Sequence, residues 1–155
     1  MEATPKNHNQ NDGHLKYMVC HDGSPASQEA LKTTKDGYMS ENSHLYVAHA
    51  YSLEKEEYLP YNLKKDYIKN DQEGANIGLG SRFNYIQEEA LTKNGETPKS
   101  VLNRMAIDKN VDVTVVGYHG RKGPKDDPTI MGSAVQFMAQ NSGSPILIVK
   151  DGLNR

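Results

Sequence analysis

The sequence predicts an α/β fold, a doubly wound five-stranded parallel sheet sandwiched by helices. Three observations predict it. Apolar runs and helical stretches alternate five times along the 155 residues. The apolar runs are near-continuous, as in strands covered on both faces. Two helical stretches open on Ser24-Pro25 and Thr97-Pro98, a capping hydroxyl followed by a first-turn proline. Right-handed crossovers then wind the sheet in both directions from its centre.

The elements follow in order. Leu15 to Cys20 is the first strand, broken by His21-Asp22-Gly23. A helix runs from Pro25 to Asp36 with Ala26, Ala30, Leu31 and Thr34 inward, and Gly37 stops it. His44 to Ala50 is the second strand. Tyr51 to Gly80, charged and dotted with tyrosines, reads as a long, partly exposed helix ended by Gly74, Gly78 and Gly80. Arg82 to Gln87 is the third strand. After Thr97-Pro98, Val101, Leu102, Met105 and Ala106 form a helical stripe. Val111 to Val116 is the fourth strand. Ser133 to Gln140 is a helix with Ala134, Val135, Met138 and Ala139 inward, and Pro145 to Val149 is the last strand.

The totals bound the possibilities. One domain over residues 14–152 is expected, preceded by a polar, disordered tail over 1–13 that has no apolar segment for a signal or an anchor. A net charge of −2, with acids and bases interspersed, offers no basic field for nucleic acid. A mean hydropathy of −0.78 and the absence of a long apolar run exclude a spanning helix. Cys20 is the only cysteine, so no intrachain disulfide forms and a reducing, cytoplasmic setting is the default. Its place in an apolar run argues for a small buried hydrophobe rather than a redox centre.

The chemistry concentrates between Val113 and Ser133. An apolar strand ends in Gly117, a basic loop with Gly120, Arg121, Lys122 and Lys125 follows, and Gly132-Ser133 starts a helix. Glycines let backbone N–H groups approach an anion, and a helix start presents unpaired N–H donors with a favourable dipole. A solvated crossover loop is the bland alternative. In an open doubly wound sheet ligands lie beyond the carboxyl ends of the strands, where strand order reverses. Of the side chains expected there, Asp22 is an ionised acceptor for a sugar or base. Its competing role, capping the first helix, is already served by Ser24.

From about Leu15 to Lys150 the chain resembles the universal stress protein family. Asp22-Gly23-Ser24 matches the Asp-Gly-Ser pattern after the family's first strand, and His49-Ala50 the end of its second. ATP-binding members carry Gly, two residues, Gly, nine residues, then Gly-Ser or Gly-Thr; here Gly117, Gly120 and Gly132-Ser133 fit, with eleven residues between Gly120 and Gly132. His119-Gly120-Arg121 is similar to the family's Gly-Arg turn. The resemblance implies a Rossmann-like fold of the adenine-nucleotide alpha hydrolase kind and a bound adenine nucleotide (ATP, ADP or AMP). The ribose would sit near Asp22, the base near Ala50 and Cys20, and the phosphates over Gly120, Gly132, Ser133 and Ala134. The two extra residues fall within Lys122 to Met131, where they bulge outward in this reading or else fold over the pocket.

Other signals are weaker. His44 and His49 stand at an odd strand offset, on opposite faces, and cannot share an ion. His21 and His119 reach the expected ligand edge without ligand spacing for a structural metal site. Asp126 and Asp127 read as a solvated turn. Mg²⁺, where present, would arrive with the nucleotide. No Gly-x-Ser-x-Gly, His-Glu-x-x-His or Walker lysine motif occurs, which leaves a binder with at most slow hydrolysis. The competing readings are an interaction scaffold of the same fold that binds no nucleotide, and an adenylating enzyme, for which the chain lacks a second domain. An apolar Pro145–Val149 strand at a sheet edge would pair with a second copy, a homodimer that the resemblance also implies.

Overall fold

The centre of the molecule is a parallel sheet with strand order β3-β2-β1-β4-β5. It is seen in a computed structural model that describes residues 14–53, 74, 76, 78–119 and 131–150. The strands are β1 Lys16–Cys20, β2 His44–Tyr51, β3 Phe83–Glu89, β4 Val113–Gly117 and β5 Ile146–Val149. Every neighbouring pair is parallel, and β1 holds the middle, with Lys16 opposite His44 on one side and Tyr17 opposite Val113 on the other. The expected tail over 1–13, most of the helix expected across Tyr51 to Gly80 and the loop over 120–130 lie outside the described residues.

Among the described residues three helices cover the two faces: α1 Pro25–Thr33, α2 Pro98–Asp108 and α3 Ser133–Asn141. Ala30 and Leu31 of α1 pack with Tyr17, Val19, Leu45, Val47 and Val115 on one face. On the other, Val101, Met105 and Ala106 of α2 meet Met18, Ala48 and Ala50, while Val135 and Met138 of α3 meet Val116. Alternate residues of β1 therefore enter opposite cores, which is why its sequence shows no polar face. Burying each such side chain contributes roughly 1.5–3 kcal/mol against exposure.

The first two helices start as their sequences predict. The Ser24 hydroxyl accepts the Ser27 N–H at 3.2 Å, and the Thr97 hydroxyl accepts that of Ser100 at 3.2 Å, each with a proline in the first turn. Gly37, however, does not stop α1. The helix widens after Thr33, the Met39 N–H reaches back to the Thr34 carbonyl at 3.0 Å, and Gly37 lies inside that wide turn, which ends at Tyr38. Ala139 is exposed rather than inward. Helix α3 is rolled toward α2, so Phe137 takes the packed side, with the Lys99 ammonium 5.5 Å from its ring centre.

The fourth strand begins two residues later than its apolar run suggests. Buried Asp112 precedes it as a clamp: its N–H donates to the Lys16 carbonyl at 2.8 Å, and its carboxylate accepts the Lys16 N–H at 2.7 Å. This bracket fixes β4 against β1 at the amino end of the sheet. It leaves the carboxyl ends of both strands side by side at the opposite end, where the site lies.

Candidate functional site

Strand order reverses between β1 and β4, and a crevice opens beyond their carboxyl ends. At the end of β1 the His21 N–H still pairs with the Ala48 carbonyl at 2.7 Å, and the chain then turns sharply. Gly23 adopts φ +84°, a left-handed conformation that costs glycine little. Within the turn, an Asp22 carboxylate oxygen accepts the Ser24 N–H at 3.0 Å and also the Ser24 hydroxyl. Asp22 thus orients the capping serine while remaining half-buried at the crevice.

Three histidines lie buried around the same strand ends: His21, His49 and His119. The Nδ1 of His21 accepts the Gly23 N–H at 3.0 Å, so that nitrogen carries no proton. His49 lies in the opposite tautomer, its Nδ1–H donating to the His21 carbonyl at 3.0 Å. His119 packs edge-on against the Tyr118 ring, with centroids 5.0 Å apart.

The end of β4 explains two glycines in different ways. At Gly117 a Cβ would come within 2.7 Å of the Ala26 carbonyl carbon and 2.8 Å of its Cβ, so glycine is needed there for helix α1 to lie against the strand. Gly132 donates its N–H to the Tyr118 carbonyl at 2.9 Å. That amide is engaged within the chain and is not one of the bare donors its position suggested. The donors of the next turn differ. Gly132 at the N-cap of α3 has no side chain to cap it, in contrast to Ser24 of α1 and Thr97 of α2, and among the described residues no side chain accepts from the N–H groups of its first turn.

The crevice is shallow, with an enclosed volume of about 60 Å³ that grows to about 460 Å³ when the open solvent at its mouth is counted. Cys20, Asp22, Ala50, Gly117 and Ala134 line it together, five of the nine residues expected from the sequence. Gly132 and Ser133 stand beside it at the start of α3 without lining it. Gly120 and Arg121 lie outside the described residues, as do Asp126 and Asp127. The floor is apolar, made by Val116, Leu102, Val135 and Met138. Sequence patterning marked Leu102, Val135 and Met138 only as inner faces of helices, and Ser27, which also lines the crevice, was not singled out.

Neither nucleophile among the described crevice residues is activated. Ser27 lies 3.4 Å from the His21 Nδ1, but its hydroxyl donates to the Ser24 carbonyl at 2.9 Å and the imidazole nitrogen is occupied by Gly23. The hydroxyl is therefore not activated as a nucleophile. Burial pushes the Cys20 thiol up to about 12, with the Asp22 carboxylate adding to the effect, so no thiolate forms near neutrality. Among the described residues no three His, Cys, Asp or Glu side chains converge as metal ligands, and no helix is long and apolar enough to cross a membrane. Together the described residues bring an apolar floor, a carboxylate acceptor at one rim and the start of α3 near the other.

The family model of the universal stress protein family matches residues 15–150. The universal stress protein UspA from Lactobacillus plantarum shares the fold with a TM-score of 0.66 at 15% identity, over 90% of this chain and 99% of that one. A universal stress protein solved in complex with cAMP gives 0.63 at 19% identity, over 90% and 98%. A family protein from Arabidopsis thaliana with AMP bound gives 0.56 at 13% identity, over 89% and 92%. No curated protein matches the sequence.

Proposed function

The chain belongs to the universal stress protein family, and from that premise we propose that it is an adenine-nucleotide-binding regulatory module of the stress response. The observation that carries the reading is the crevice at the β1–β4 reversal point, which joins an apolar floor to the Asp22 carboxylate and the start of α3. In this reading the purine ring lies against the apolar floor of Val116, Leu102 and Met138, next to Ala50 and Cys20. Asp22 accepts from the ribose hydroxyls with the oxygen not engaged by Ser24. The phosphates rest on the first-turn amides of α3 at Ser133 and Ala134, with Mg²⁺ arriving with them; Gly120 and Arg121, expected from the sequence to join them, lie outside the described residues. Related proteins solved with cAMP and with AMP support an adenine nucleotide as the ligand class.

The module holds its nucleotide with at most slow hydrolysis, because no described group is placed to activate a water. Self-association runs through β5, which forms one edge of the sheet. A cytoplasmic location, expected from the single cysteine, accompanies this reading.

The test is direct. Purified protein is heat-denatured and the supernatant analysed for adenine nucleotides by chromatography; stripped protein is then melted with ATP, ADP and AMP. Ligand at a hundred times its dissociation constant adds roughly 2.7 kcal/mol and raises the melting temperature. Gly132→Val, which crowds the start of α3, loses that shift. No released nucleotide, together with flat melting curves for all three ligands, would replace this reading with a scaffold that binds none.

A further inference from the structure

We propose that His21 is a positioning residue that makes nucleotide binding pH-dependent, by holding the Asp22 turn only while its ring is neutral. The ligand in this inference rests on the adenine-nucleotide reading above. The argument for the coupling starts from the direction of one hydrogen bond. Nδ1 of His21 accepts the Gly23 N–H at 3.0 Å, and a backbone N–H only donates. A proton on Nδ1 would set two donors against each other, so uptake of a proton breaks the bond.

That bond closes the turn presenting the carboxylate. Gly23 sits at φ +84° between Asp22 and Ser24, and the Asp22 carboxylate in turn holds the Ser24 N–H at 3.0 Å. Releasing Gly23 loosens the peptide that fixes both neighbours. The charge balance works the same way. Asp22 would attract an imidazolium, and moving toward it draws the carboxylate off Ser24; both responses undo one turn.

The surroundings single out this ring. Among the described residues of the crevice, the other titratable groups are Cys20 and Asp22 beside it and His119 beyond β4, and His49 of β2 bonds its carbonyl. Helix α1 offers the uncharged Ser27 hydroxyl 3.4 Å from Nδ1, and the crevice residues of α2 and α3 carry no charge. His49 already donates from its Nδ1 to the His21 carbonyl, so a second proton there leaves that bond intact. The sign follows: the His21 bond is present while the ring is neutral and is lost when falling pH protonates it.

The experiment measures ATP affinity by calorimetry at about pH 7.5 and about pH 5.5 for the wild type and His21→Asn, whose amide oxygen can accept from Gly23 but cannot titrate. Wild-type affinity is expected to fall by roughly three- to tenfold, the range one neutral hydrogen bond is worth. The Asn variant keeps the changes due to the nucleotide and to every protein group other than His21, so its ratio between the two conditions is smaller. Equal ratios in the two proteins would overturn the inference. A second readout needs no nucleotide: in the free protein the Gly23 amide resonance is expected to move with the His21 ring titration, and to stay still in the Asn variant. A Gly23 resonance that ignores the His21 titration overturns the inference too. Failure of the wild type to bind ATP at either pH counts instead against the proposed function, and leaves the resonance test to judge the turn.

Discussion

Gly117 and Ala26 are packed so closely that a methyl group on the glycine would lie 2.8 Å from the alanine Cβ and 2.7 Å from its carbonyl carbon. Helix α1 thereby lies directly on the end of β4, and the wall of the crevice is set by backbone contact. Gly117→Ala forces the two elements apart. The expected cost is about 1–3 kcal/mol of unfolding free energy, the usual range for overpacking, read from chemical denaturation. An unchanged midpoint would mean that the helix can move away without strain.

Asp22 holds Ser24 and also stands at the proposed ribose position, and two substitutions separate these roles. Asp22→Asn keeps an oxygen that accepts the Ser24 N–H, so stability is expected to stay within about 0.5 kcal/mol of wild type. Asp22→Ala removes the acceptor and loosens the capping serine, for a loss of about 1 kcal/mol. Nucleotide affinity is expected to drop in both. If Asp22→Asn melts normally and binds ATP as tightly as wild type, the carboxylate serves the helix start alone.

How much of this was legible in the sequence depends on the range of the interaction. Ser24-Pro25 and Thr97-Pro98 were readable because a cap is chemistry among residues three apart. The inner face of α1 was readable because Ala26, Ala30, Leu31 and Thr34 follow the helical period, and all four are buried. Where the partner comes from another element, the reading failed or stayed incomplete. Gly117 is a glycine because of Ala26, ninety-one positions away. The Gly132 amide is engaged by Tyr118, across the loop whose glycines were the signal. Ala139 is apolar and correctly spaced, yet exposed, because the roll of α3 is set by Phe137 against α2. The crevice floor under Leu102 and Met138 arises from two helices meeting, which no single stretch records.

The edge strand β5 carries its own expectation. Ile146, Leu147 and Ile148 pack their side chains on the cores of the two faces, while β4 occupies only one side of the strand's backbone. An apolar edge of this kind is paired or protected in solution. Light scattering is expected to give the mass of a dimer for wild type and of a monomer for Ile148→Lys, with circular dichroism confirming that the variant is folded. A folded variant that remains dimeric would place the contact elsewhere.

Cys20 gives the chain a predictable weakness at high pH. Its thiol has an ordinary value of 9.0 and is pushed up to about 12 in the folded protein, first by burial and then by the neighbouring Asp22 carboxylate. Between those values the unfolded chain loses the thiol proton while the folded chain keeps it, so the folded state binds more protons. Stability must then fall as pH rises from about 9 toward about 12. Cys20→Ala removes this one contribution, so the difference in unfolding free energy between variant and wild type is expected to shift in the variant's favour as pH rises above 9. Cys20 is half-buried at the crevice, so the raised thiol, rather than full enclosure, keeps alkylation by iodoacetamide slow at about pH 8 in the folded protein, and alkylation is fast once denaturant is added. Rapid alkylation under native conditions, with a stability difference that does not change with pH, would show that the sulfur is not held in the desolvated setting at the end of β1.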